Sequence, residues 1–157
     1  MQSKNPSEQT SPAEPPLEAL AQRFGGRLRV IAKLAVTYWF NHDKLDKLLA
    51  EYVRSLEGCE LIYAIDESGR QVSSNIYPTK IDNIGYGQDL SQRPYVVSLS
   101  VLSSLARQEA FAYHEYVSKA TGEPCYTVMY GVTTESGLLG FIAADFDPAW
   151  ASLDKNP

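Results

Sequence analysis

The sequence predicts an α+β fold, with helices packed on one face of an antiparallel sheet. Three observations carry this. Apolar residues recur every three or four positions as far as Leu56, and after Gly58 the period changes to that of strands. The strand-like segments are separated by short turns, Glu67-Ser-Gly-Arg70, Thr121-Gly-Glu-Pro124 and Glu135-Ser-Gly137, and successive hairpins imply antiparallel pairing. The amphipathic helical stripes need an apolar surface to cover, which one face of such a sheet provides.

Residues 1–16 are rich in Ser, Gln, Glu and Pro with almost nothing apolar, and read as a disordered tail. Residues 17–157 read as a single domain, with helices over 17–57 and the sheet over 58–157. The spacing of Leu17, Leu20, Phe24, Leu28, Ile31, Ala35 and Tyr38 predicts a long helix over 17–40. Gly25-Gly26 weakens its middle. Part of this stripe can pack on the domain and part can pair with a second copy. Asn41 to Asp43 carry capping residues, and Leu45, Leu48, Leu49, Tyr52, Val53 and Leu56 define a second helix over 44–56 that stops at Gly58. Five strands follow, over 60–66, 71–76, 111–119, 125–134 and 138–146. Residues 77–92 form a long loop, a feature usually tied to function, and 93–105 read as helical. The last strand is apolar almost throughout and is expected to be central. Asp147-Pro148 caps a short final helix over 149–153.

At 157 residues, 44% hydrophobic and 21% charged, the chain has the composition of a globular domain able to bury its own core. A net charge of −5 argues against a nucleic-acid partner, which needs a basic face. Cys59 and Cys125 have neither metal-ligand nor Cys-x-x-Cys spacing, so no metal and no cofactor is expected and the thiols read as free. No signal peptide and no run of about 18 apolar residues is present. As written, the chain reads as a cytoplasmic protein; the alternative is a periplasmic or extracellular piece of a membrane-bound sensor. The serines at 98, 100, 103 and 104 lack a nucleophile turn and a histidine base. His42 and His114 have no second ligand nearby and read as ordinary structural residues. No catalytic residue is assigned, and the chain is expected not to be an enzyme.

The stretch Gly85-Tyr-Gly-Gln-Asp-Leu-Ser-Gln-Arg-Pro-Tyr95 joins the two strand-rich halves. The Arg93 guanidinium offers a fork suited to a carboxylate, and tyrosines such as Tyr95 wall a pocket while offering a hydroxyl. Arg93 can instead pair with Asp89 and shape the loop. Asp145 is a carboxylate within an apolar strand, where an unpaired charge is costly to bury; it is either a pocket residue or a strand-end residue facing water. The chain has ten tyrosines. Strand alternation adds Tyr113, Tyr126 and Tyr130 as candidate pocket residues, with Tyr126 and Tyr130 on one face.

Four segments, in order, resemble the Cache sensor domains, also called PDC or extracellular-PAS-like domains. Gly87-Gln-Asp-Leu-Ser-Gln-Arg-Pro-Tyr95 is similar to their Gly-x-Asp-(Leu/Ile)-Ser-x-Arg-Pro-(Tyr/Phe) segment. Tyr116-Val-Ser-Lys-Ala-Thr-Gly-Glu-Pro124 resembles their Tyr-(Ile/Val)-Ser-x-x-Thr-Gly-x-Pro hairpin. Ile65-Asp-Glu-Ser-Gly-Arg70 and Leu139-Gly-Phe-Ile-Ala-Ala-Asp145 resemble their first hairpin and last strand. The resemblance implies a PAS-like five-stranded antiparallel sheet preceded by a long N-terminal helix. It also implies a small-molecule ligand, often a carboxylate or amino acid, bound between the sheet and the segment crossing it.

By that resemblance Arg93 holds a carboxylate, Tyr95 and Tyr116 wall the pocket, and Asp145 meets a ligand ammonium. Pro94-Tyr95 stands where amino-acid sensors of the family carry a tryptophan shortly after the arginine. A homodimer through the N-terminal helix is expected. The sequence reads as lacking an output domain, so signalling is expected to need a partner acting in trans or a rearrangement of the dimer. The alternative is a PAS-like dimerisation module without a ligand.

Overall fold

The computed structural model describes residues 14–92, 111–117 and 124–146, with strand 111–117 described by its backbone. The elements run α1 (Glu14–Tyr38), α2 (His42–Tyr52), a 3-10 turn (Val53–Ser55), β1 (Cys59–Asp66), β2 (Asn75–Tyr77), β3 (Lys80–Asp82), a second 3-10 turn (Asn83–Gly85), β4 (Phe111–Val117), β5 (Pro124–Thr134) and β6 (Gly137–Phe146). The sheet order is β3-β2-β1-β6-β5-β4, and every pairing is antiparallel. The α+β expectation and the central place of the last strand hold. The five expected strands are joined by a sixth, the three-residue edge strand β3. Residues 1–13, the 93–105 helix and the 149–153 helix lie outside the described residues.

Helix α1 starts at Glu14, three residues before the expected start, and runs through Gly25-Gly26 without interruption. Phe24, Leu28, Ile31 and Ala35 are fully buried against the sheet, and each large apolar side chain buried this way contributes roughly 2 kcal/mol. Phe24 stacks on Phe146 of β6 with ring centroids 4.7 Å apart. The expected stripe is therefore largely intramolecular. Asn41 caps α2, its side chain accepting from Lys44 N at 3.1 Å, which satisfies an amide that the first turn leaves without a helical partner.

The second expected strand is cut short. Arg70 and Gln71 form isolated bridges, and regular pairing resumes only at Asn75. Ser73 is the physical reason. Its Oγ accepts from Ala64 N at 2.9 Å and donates to Ser74 O at 2.8 Å, so a side chain takes the place of a ladder carbonyl. Ser74 is tied to α2 instead, through Asp46, which accepts from Ser74 N at 2.8 Å and from Ser74 Oγ at 2.7 Å.

The sheet separates two cores. The larger lies under α1 and α2 and includes Phe24, Leu28, Leu49, Ile62, Ala64, Val128, Ile142, Ala144 and Phe146. The smaller lies on the opposite face and holds Leu61, Tyr63, Ile65, Leu90, Met129, Phe141 and Ala143. A register shift between Cys59 and Leu61 puts Cys59 in the larger core and Leu61 in the smaller, although simple alternation would give them one face.

Candidate ligand-binding face

The face away from the helices carries the candidate site. Antiparallel partners share a face. Leu61 pairs with Asp145, Asp145 with Thr127, and Thr127 with Tyr113. The Ile62–Ile76 pair sets Tyr77 opposite Leu61. One row across the sheet therefore reads Tyr77, Leu61, Asp145, Thr127, Tyr113. The next row reads Tyr63, Ala143, Met129, Phe111. It is apolar but for the Tyr63 hydroxyl, so the polar groups gather toward one end of an otherwise apolar surface.

Asp145 is 2% exposed and Thr127 fully buried. Thr127 Oγ1 donates to Asp145 Oδ1 at 2.8 Å. Of the two readings open for Asp145, a strand end facing water is thus excluded. Tyr77 is half-buried against the smaller core. Burial pushes its phenol pKa up, and the negative charges of Asp82 and Asp145 push the same way.

The segment leading to Arg93 is fastened by its backbone to the residues that follow β1. Gln71 N donates to Gln88 O at 2.9 Å, Gly87 N to Gln71 O at 2.8 Å, and Leu90 N to Gly69 O at 2.8 Å. Arg70 Nη1 donates to Gly87 O at 2.8 Å. Gly87 adopts φ 81°, a conformation that side-chain-bearing residues rarely take. Leu90 drops into the smaller core. Asp89 accepts from Ser91 N at 2.9 Å; its bonds to Ser91, and then the nearby Arg70 charge, hold its carboxyl below the usual range.

Arg93 and Tyr95 lie outside the described residues. Tyr113 and Tyr116 are placed by backbone register alone, opposite Thr127 and Cys125. Tyr126 and Tyr130 do not join Asp145. Tyr126 is buried in the larger core and Tyr130 packs against it, because even-numbered β5 residues face α1 while Thr127 and Met129 face away. The expected shared face of Tyr126 and Tyr130 holds, but it is the helix face. Sequence reasoning misses Thr127 and Tyr77, whose only signal is their register with Asp145. No group of three metal-ligating side chains occurs among the described residues. Cys59 is free and buried, and burial raises its thiol pKa strongly.

No protein-family model matches the chain, and no curated protein matches it in sequence. Solved structures do match. The sensor domain of the Vibrio cholerae histidine kinase DctB aligns at TM-score 0.62 and 17% identity, over 96% of this chain and 59% of that one. The ligand-binding domain of the Pseudomonas fluorescens chemoreceptor CtaA, solved with L-alanine, aligns at TM-score 0.59 and 14% identity, over 94% of this chain and 61% of that one. This is the fold of Cache-type sensor domains. A third match is the Bacillus subtilis YkuI protein, which has an EAL domain and was solved with c-di-GMP and calcium. It aligns at TM-score 0.66 and 19% identity, over 96% of this chain and 37% of that one. The chain thus spans about a third to three-fifths of the length of these three structures. At these identities the likeness establishes the fold. The expected cytoplasmic location finds no support among these neighbours. No helix among the described residues is long and apolar enough to cross a membrane.

Proposed function

We propose that this chain is the ligand-binding domain of a sensor, not an enzyme, and that it takes a small organic carboxylate or amino acid on the sheet face opposite α1. The observation carrying this reading is the buried Asp145–Thr127 pair on an otherwise largely apolar face. A carboxylate is kept in such a place when it has hydrogen-bonding work there. CtaA, which shares the fold, was solved with L-alanine. In the proposed site Asp145 takes the ligand ammonium, and Arg93, delivered by the segment anchored through Gly87 and Leu90, clamps the carboxylate. Tyr95, Tyr113 and Tyr116 complete the walls.

The helices and the sheet, from Glu14 onward, serve as one sensory unit, placed outside the cytoplasm as in an extracellular neighbour. Val30 and Leu34, one turn apart on α1 and 50% and 39% exposed, favour a homodimer through that helix, with output passed to a partner in trans. They also supply the second reading, a dimerising module without a ligand.

A thermal-shift screen of wild type and Arg93→Ala against organic acids and amino acids separates the two readings. A ligand that binds only the native state raises Tm, by an amount set by its concentration over Kd. A compound that stabilises wild type but not Arg93→Ala supports the sensor. No stabilising compound, with a dimer that persists in solution, supports the module.

A further inference from the structure

We infer that Tyr77 is a ligand-contacting residue of this face, its hydroxyl and the Asp145 carboxylate together selecting a primary ammonium over a fully alkylated one. The inference rests on the sensor reading above. Tyr77 and Asp145 flank Leu61 in one cross-strand row, so their backbones lie two strand spacings apart, roughly 10 Å. Leu61 between them offers no hydrogen bond and supplies an apolar floor. Ala143, next to Asp145 on the same face of β6, is the smallest residue of the smaller core.

Tyr77 is held from several sides. Pro78 O, in the following turn, accepts from Arg54 Nε at 3.0 Å. Lys80, its register partner on β3, sits 5.2 Å over the ring. The ring packs on the smaller core. The register that sets both beside Leu61 puts their polar ends on one face, and the Asp145 charge, after burial and Asp82, acts to raise the phenol pKa.

The chemistry then follows from donor counting. A primary ammonium carries three N–H donors and can satisfy a carboxylate and a phenol oxygen together. A trimethylammonium carries none, and can donate a hydrogen bond to neither group. A carboxylate lacking an amine makes no use of Tyr77.

The test is titration calorimetry with four proteins and three probes. The proteins are wild type, Tyr77→Phe, Asp145→Asn and Arg93→Ala; the probes are L-alanine, glycine betaine and propionate. Tyr77→Phe keeps the ring and its packing. Wild type is expected to bind L-alanine and reject glycine betaine. Tyr77→Phe is expected to weaken L-alanine about tenfold while leaving any propionate binding unchanged. L-alanine binding that is lost in Asp145→Asn and unchanged in Tyr77→Phe overturns the role of Tyr77 and leaves the site standing. Failure of wild type to bind L-alanine overturns the amine selectivity. If propionate then still binds wild type but not Arg93→Ala, the carboxylate-binding site survives that failure.

Discussion

Thr127 and Asp145 face each other across the β5–β6 pair, joined by a 2.8 Å hydrogen bond between two buried side chains. The pair fixes one carboxylate oxygen on a face whose other buried residues are largely aliphatic or aromatic. Thr127→Val keeps the shape and removes the donor. It is expected to destabilise the protein by about 1–3 kcal/mol, the cost of withdrawing a partner from a buried polar group. Thr127→Ser is expected to recover most of this. Urea unfolding of the three proteins checks the order, and equal midpoints would show that the bond contributes nothing.

Asp46 performs a structural task of the same kind on the other side of the sheet. It accepts from Ser74 N and Ser74 Oγ; His42 Nε2 lies 3.1 Å from its carboxylate and 3.0 Å from Ser74 Oγ, and the His42 ring stacks on Tyr86 at 3.7 Å. Asp46→Ala strands the buried Ser74 N–H and removes an acceptor from its hydroxyl, and is expected to cost about 3 kcal/mol, whereas Ser74→Ala leaves the backbone bond and is expected to cost about 1 kcal/mol. Chemical denaturation of both variants tests this ranking, and a larger loss in Ser74→Ala would contradict it.

Gly140 is required by a close approach. A Cβ there would fall on the Ile65 carbonyl oxygen, 2.7 Å from Trp39 Cζ2 and 2.8 Å from Asp66 Cα. Two of these neighbours are backbone atoms of the paired strand and have little room to yield. Gly140→Ala is expected to cost about 3 kcal/mol or more, seen as a large drop in Tm or loss of soluble protein. A Tm near wild type would mean that β1 and β6 are not packed this closely.

Much of this fold is legible in the sequence because periodicity reports burial. The spacing of Phe24, Leu28, Ile31 and Ala35 identifies the buried side of α1, and the cap at Asn41 is where a capping residue is expected. The shortened β2 is not legible, because Ser73 competes for ladder bonds through its side chain and a serine looks the same in a strand and in a turn. The site is only partly legible. Alternation correctly groups Tyr126 with Tyr130, but a period of two cannot say which face meets the helices. That depends on how α1 docks, and α1 docks on the side of Val128 and Ile142. Thr127 and Tyr77 gain meaning only through pairing between strands distant in sequence.

Cys59 gives a pH prediction. Burial raises its thiol pKa in the folded state, while an unfolded thiol titrates near 8.5. Above that pH the unfolded chain binds fewer protons than the native one, so stability falls as pH rises. In a Cys125→Ser background, Cys59 is expected to resist thiol reagents at pH 8 until the protein unfolds. The same protein should lose stability between about pH 8 and pH 10, and Cys59→Ala should remove the thiol's share of that loss. Rapid labelling of the native protein would contradict the burial.

The central claim is that ligand binds on the sheet face away from α1, and methyl NMR tests it most directly because the two faces carry different methyl groups. On addition of a carboxylate or amino acid that raises Tm, the methyl signals of Leu61, Thr127, Met129 and Ala143 are expected to shift. Those of Ile62, Val128, Ile142 and Ala144, on the helix face, are expected to stay in place. Shifts confined to the second set, or to α1 alone, would contradict the account.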